Sequence, residues 1–137
     1  MNSRSARLVV ACAAAALVAA AGIAVLEARP APRLTRTVLL RQDSTVPGRE
    51  VLMVSVEIPP GATDGRHSHP AEVYTYVREG ELSLFVEGQP VRILRAGDVF
   101  AIAPGQVHEG SNKGPATVKL TAVFFAEKGK PLTTPVP

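Results

Sequence analysis

The chain contains three histidines, His67, His69 and His108, and their spacing would let them share one metal ion. Side chains on a β-strand alternate at about 3.3 Å per residue, so His67 and His69 project from one face about 7 Å apart. Such a pair can grip an ion. A third imidazole from a distant strand completes a three-nitrogen face and leaves other coordination positions open for water, oxygen or substrate. Neutral imidazoles bind iron, manganese, nickel, copper and zinc, so the ligands do not choose among these divalent transition metals. The competing reading is that each is an ordinary surface or satisfied core histidine.

The candidate catalytic residues are Glu72 and Tyr74, just beyond the pair. Glu72 reads as a fourth ligand, a base held behind the ligands, or a solvated residue. A phenol near a metal donates a hydrogen bond or acts as general acid or base, which is the functional reading of Tyr74 and of Tyr76. Parity opposes both roles: on an unbroken strand Val73 shares the histidine face, while Glu72, Tyr74 and Tyr76 point away. Pro70 could break that parity, because proline cannot continue a ladder and often marks a bulge or strand edge. Gln106 and Asn112 flank His108 as groups that could orient its ring, with a turn-forming role as the alternative for Asn112.

Flanking glycines extend the pattern. The first stretch reads Gly61-x5-His67-x-His69-x3-Val73-x6-Gly80, and the second Gly97-x5-Ala103-x-Gly105-x2-His108-x3-Asn112. Together they resemble the two motifs of the cupin superfamily, with alanine at 103 where the family usually has proline and Pro104 just after it. The resemblance covers residues 33–127 and is closest to small, single-domain, exported bacterial cupins. It implies a double-stranded β-helix, or jelly roll, holding a metal inside, with His67, His69 and His108 as ligands and homodimers formed through an outer sheet. The family's usual fourth ligand is a glutamate at the position of Val73, so carrying that role over to Glu72 requires a shift of one residue. The tri-histidine iron sites of some cupin dioxygenases are a family precedent for its loss.

The elements that must hold these residues read as all-β. Residues 34–40, 51–58, 73–78, 81–86, 91–94, 99–102 and 117–125 are short runs separated by Gly, Pro and Asp, and nothing after residue 33 shows a helical period. Seven such runs indicate a sandwich or barrel. Leu82, Leu84 and Val86 alternate with Ser83, Phe85 and Glu87, and Val118, Leu120, Ala122 and Phe124 with Lys119, Thr121, Val123 and Phe125, as strands covered on two faces do. Residues 62–66 read as a loop lining the mouth beside the metal, or as an ordinary turn.

The chain divides into residues 1–28, a barrel over 29–126 and a proline-rich tail over 127–137. Arg4 and Arg7 precede an uncharged apolar stretch, residues 8–26, followed by a polar, proline-containing segment. This is an export signal. Small residues near Ala19 to Ala24 offer cleavage sites, while nineteen apolar residues just reach the ~20 that span a bilayer, so an uncleaved anchor helix is the alternative. The expected location is periplasmic or secreted, with membrane contact only through this segment. Cys12, the single cysteine, has too short an apolar run before it for lipidation and excludes a disulfide within the chain. The tail reads as loose or as an arm laid on the barrel, without a site of its own.

Composition excludes other classes. Beyond residue 27 thirteen basic groups face eleven acidic ones, dispersed and without a basic run, and tryptophan is absent, so no nucleic-acid surface is indicated. There is no phosphate-binding glycine loop, nucleophile elbow or paired glycosidase carboxylates. The expectation is an exported metal-binding enzyme that dioxygenates, isomerises or decarboxylates a small organic anion. The alternative is a non-catalytic module that binds or senses a small ligand, which an outward Glu72 and a narrow apolar pocket would favour.

Overall fold

The computed structural model describes residues 30–137, and the export or anchor segment expected at residues 1–28 lies outside them. Ten strands and no helix occur among the described residues. They are β1 (Thr35–Asp43), β2 (Arg49–Ile58), β3 (His67–Ser68), β4 (Ala71–Glu79), β5 (Glu81–Val86), β6 (Arg92–Arg95), β7 (Val99–Ile102), β8 (His108–Ser111), β9 (Val118–Glu127) and β10 (Thr134–Pro135). One sheet runs β1-β2-β9-β4-β7 and the other β10-β3-β8-β5-β6, and every pairing is antiparallel.

Alternation decides what faces inward. Leu52, Val54, Val56 and Ile58 of β2, Val73, Thr75 and Val77 of β4, and Leu120, Ala122 and Phe124 of β9 are buried, and they meet Leu82, Leu84 and Val86 of β5 from the opposite sheet. The two inner faces form one core, closed as in a jelly roll. Gly80 makes the tight step from β4 to β5 with φ +80°, and a side chain there would meet the Thr117 carbonyl oxygen at 2.9 Å and the Val118 Cα at 3.0 Å. Only glycine fits both the left-handed backbone and that approach.

Three strands missing from the seven sequence-based runs, β3, β8 and β10, all lie beside the histidines. Their sequences, His-Ser, His-Glu-Gly-Ser and Thr-Pro, carry no β-branched apolar run, so pairing rather than propensity makes them strands. The tail over 127–137 is an arm laid on the barrel. Glu127 ends β9, Leu132 packs on the core, and β10 pairs Thr134 with Ser68 and Pro135 with His67. Proline is tolerated because β10 is a sheet edge.

Candidate metal centre

Two short strands of one sheet place the three rings together. His67 on β3 lies directly across from His108 on β8, and His69 follows two residues later on the same face. Ring centroids stand 4.3 Å apart for His67 and His108, 4.7 Å for His67 and His69, and 5.0 Å for His69 and His108. One nitrogen from each lies within 4.8 Å of the others, and all three residues are buried.

Backbone carbonyls fix how the rings present themselves. The Nδ1 of His67 donates to the Gly65 oxygen at 2.7 Å, that of His69 to the Leu132 oxygen at 2.6 Å, and that of His108 to the Gln106 oxygen at 3.0 Å. A carbonyl only accepts, so each Nδ1 carries the proton and each neutral ring keeps its lone pair on Nε2. Three imidazoles oriented in this way are a donor set that suits a divalent transition metal, and the residues fit such an ion.

His69 is pushed down to about 4, chiefly by burial, with its hydrogen bond to Leu132 opposing and the two neighbouring imidazoles adding to the lowering. His108 is lowered for the same first reason. Protonation is therefore easier in the unfolded chain, where a histidine titrates near 6.5. The stability held in the neutral rings is complete above that value and is lost as pH falls from about 6.5 towards 4. Metal-free protein is expected to lose about 2 kcal/mol between pH 7 and pH 5 from His69 alone. Urea unfolding at the two pH values checks this, and the loss should shrink in His69→Gln.

The rings line a cavity of about 220 Å³ between the sheets. Its wall is mainly aliphatic, from Leu52, Val54, Val56, Leu82, Leu84 and Leu120 among others, with Phe124 packed edge-on to His69 at 5.1 Å. Arg36, Asp64, Thr75 and Thr133 add polar groups. Val73 also lines it, at the position where a glutamate ligand would have stood.

Glu72 and Tyr74 lie elsewhere. Both project from the outer face of β4, where Tyr74 is 52 % exposed and its hydroxyl donates to the Glu72 carboxylate, so neither reaches the histidine cavity. The reason is parity: His67, His69, Ala71, Val73, Thr75 and Val77 are buried in unbroken alternation through Pro70. The proline sits where the chain passes from the sheet of β3 to the sheet of β4, and the side chains do not change sides. Gln106 serves His108 through its backbone oxygen, while its side chain accepts from Ala103 N at 3.2 Å. Asn112 hydrogen-bonds to backbone and not to His108.

Several residues of the centre were not singled out from the sequence. Asp64, in the loop expected to line the mouth, accepts from Gly110 N at 2.6 Å, and one of its oxygens stands 4.0 Å from His67 Nδ1. Burial raises its carboxyl, with the neighbouring His67 ring and the Gly110 hydrogen bond opposing. Leu132 fixes His69 from 63 residues away, through a carbonyl that no side-chain pattern announces. Thr75 could have been found by continuing the His67 parity two residues past Val73.

Comparison with known proteins follows this geometry. A family model described as "Cupin domain" matches residues 54–124. No curated protein matches the chain. Among solved structures, an uncharacterized conserved protein with a double-stranded beta-helix domain from Klebsiella pneumoniae is similar at 27 % identity and TM-score 0.63, over 77 % of this chain and 90 % of that one. The DMSP lyase DddQ of Ruegeria pomeroyi aligns at 21 % identity and TM-score 0.62, over 76 % of this chain and 52 % of its own. An oxalate oxidase aligns at 29 % identity and TM-score 0.57, over 64 % of this chain and 46 % of its own. The aligned region is thus about half of each of these two enzymes.

Proposed function

Because the chain belongs to the cupin family, we propose that it holds one divalent transition metal ion on His67, His69 and His108 and acts there on a small organic anion. The observation that carries this reading is the convergence of one nitrogen from each of three buried rings, each ring oriented by a carbonyl on its Nδ1. With iron, manganese, nickel, copper or zinc in place, the ion would polarise a bound oxygen donor as a Lewis acid. The histidines orient, the aliphatic wall excludes water, and Val73 leaves the centre without the compensating charge of a glutamate. A cation held by three neutral imidazoles, with no carboxylate among its ligands, favours an anion in its open positions.

Dioxygenation, isomerisation and decarboxylation all suit this description, and the similarity to both a lyase and an oxidase illustrates how one barrel hosts unlike reactions. The outward Glu72 and the largely apolar wall support a second reading, a non-catalytic module that binds or senses a small ligand. Export to the periplasm or beyond, with residues 8–26 as cleaved signal or anchor, belongs to the same proposal. So does a homodimer, for which exposed Tyr74, Tyr76 and Val99 on the outer face of β4 and β7 offer an apolar surface.

Elemental analysis of the untagged protein purified from its native host tests the first reading. About one transition metal ion per chain is expected. No metal, even after reloading, would transfer the assignment to the ligand-binding module.

A further inference from the structure

Among the described residues, Arg36 is the one lysine or arginine that lines the histidine cavity. Its placement follows from strand register. On β1, Arg36 stands opposite Val56 and Val38 opposite Val54, and all four line the cavity. A register shift between Val38 and Leu40 then turns the strand, so that Arg41, farther along, forks onto Glu50 through Nε and Nη2. β1 is exposed along its length, and the face it turns to the cavity presents one cation and one aliphatic group at the rim.

Four other basic side chains are held in ion pairs. Arg41 pairs with Glu50, Arg95 with Glu81, Lys119 with Glu79 and Lys128 with Asp43. Arg36 has no ion pair or side-chain hydrogen bond among the described residues. The cavity's own carboxylate, Asp64, is bound by Gly110 N at 2.6 Å, and the guanidinium stands close enough for its charge to act on both Asp64 and His69. A planar guanidinium with free donors at the end of an aliphatic channel matches a carboxylate bidentately.

We propose that Arg36 is the specificity-determining residue of the cavity, gripping the carboxylate of a short organic acid whose carbons lie along Val38, Val54 and Val56 and whose other end faces the histidines. At about 220 Å³ the cavity is below the roughly 300 Å³ at which drug-sized sites begin, so the acid is small. The proposal rests on the anion-binding half of the functional reading and names its recognition group.

Titration calorimetry on the full chain tests it, with pentanoate as probe, pentanamide as its uncharged counterpart, and metal content measured in every sample. Wild type should bind pentanoate at least tenfold more tightly than pentanamide. Arg36→Gln should remove that preference, Arg36→Lys should retain part of it, and metal content should be the same in all three proteins. Pentanoate affinity unchanged in Arg36→Gln, no preference over pentanamide in wild type, or no pentanoate binding at all would each overturn the proposal. Arg36-dependent binding in protein that takes up no metal would sustain it while sinking the metal-centre reading, so the two fail separately.

Discussion

Replacing His108 with alanine is expected to take bound metal from about one ion per chain to nearly none, and His67→Ala and His69→Ala should do the same. Removing a group that only orients a ligand typically costs 10- to 100-fold in metal affinity, so loss of a ligand should exceed roughly 100-fold. Each ring supplies one of three Nε2 atoms, and no carboxylate stands at position 73 to compensate. The fold should survive, because the truncated side chains border an existing cavity rather than the packed core beneath it. Glu72→Gln and Tyr74→Phe are the matched controls, since both groups lie on the outer face of β4. Plasma mass spectrometry after dialysis against a weak chelator reads the stoichiometry, and circular dichroism confirms folding. Unchanged metal content in all three histidine variants would sink the assignment.

The histidine cluster was legible in the sequence because its logic is local. His-x-His puts two rings on one face if the segment is extended, and the resemblance of the glycine-spaced motifs to those of cupins adds His108; the short strands that carry His67 and His108, and the register that sets them directly across, come only with the structure. Alternation in β5 and β9 was legible as two partly apolar faces, and the structure decides between them by burying Leu82, Leu84, Val118, Leu120, Ala122 and Phe124. The groups that complete the centre act over long separations or through backbone. Leu132 reaches His69 with a carbonyl oxygen, β10 forms only because β3 offers a free edge, and Asp64 is aimed by the 61–66 loop against Gly110. None of these leaves a periodic or compositional trace. Pro70 tempted the opposite error. Its real effect is to move the chain between sheets with the alternation intact, so the parity that placed Val73 inward and Glu72 outward was the better guide.

Asn112 carries the largest expected stability effect outside the core. It is 1 % exposed and joins its own turn to a distant stretch: its Nδ2 donates to the Ile58 oxygen and to the Ala116 oxygen, each at 2.8 Å, and its Oδ1 accepts from Gly114 N at 3.0 Å. Its own backbone closes the same corner, donating to the Ala62 oxygen at 3.0 Å and accepting from Gly61 N at 2.9 Å. Thus one side chain ties the end of β2 to the turn that leads into β9, just before the loop that carries Asp64 and the first histidine. Asn112→Ala should leave the Ile58 carbonyl without this donor in a fully buried place and remove the bonds to the Ala116 oxygen and from Gly114 N as well. A stranded buried group costs about 1–3 kcal/mol, so a total near 3 kcal/mol is expected, or a fall in Tm on the order of 10 °C. Asn112→Asp should be worse, because it removes both donated hydrogen bonds and buries a charge. Thermal unfolding measures the loss, and metal affinity of the folded variant decides its meaning. Near-normal affinity with reduced Tm assigns Asn112 to holding the corner, whereas loss of metal at full stability would restore the role of orienting His108 that its spacing first suggested.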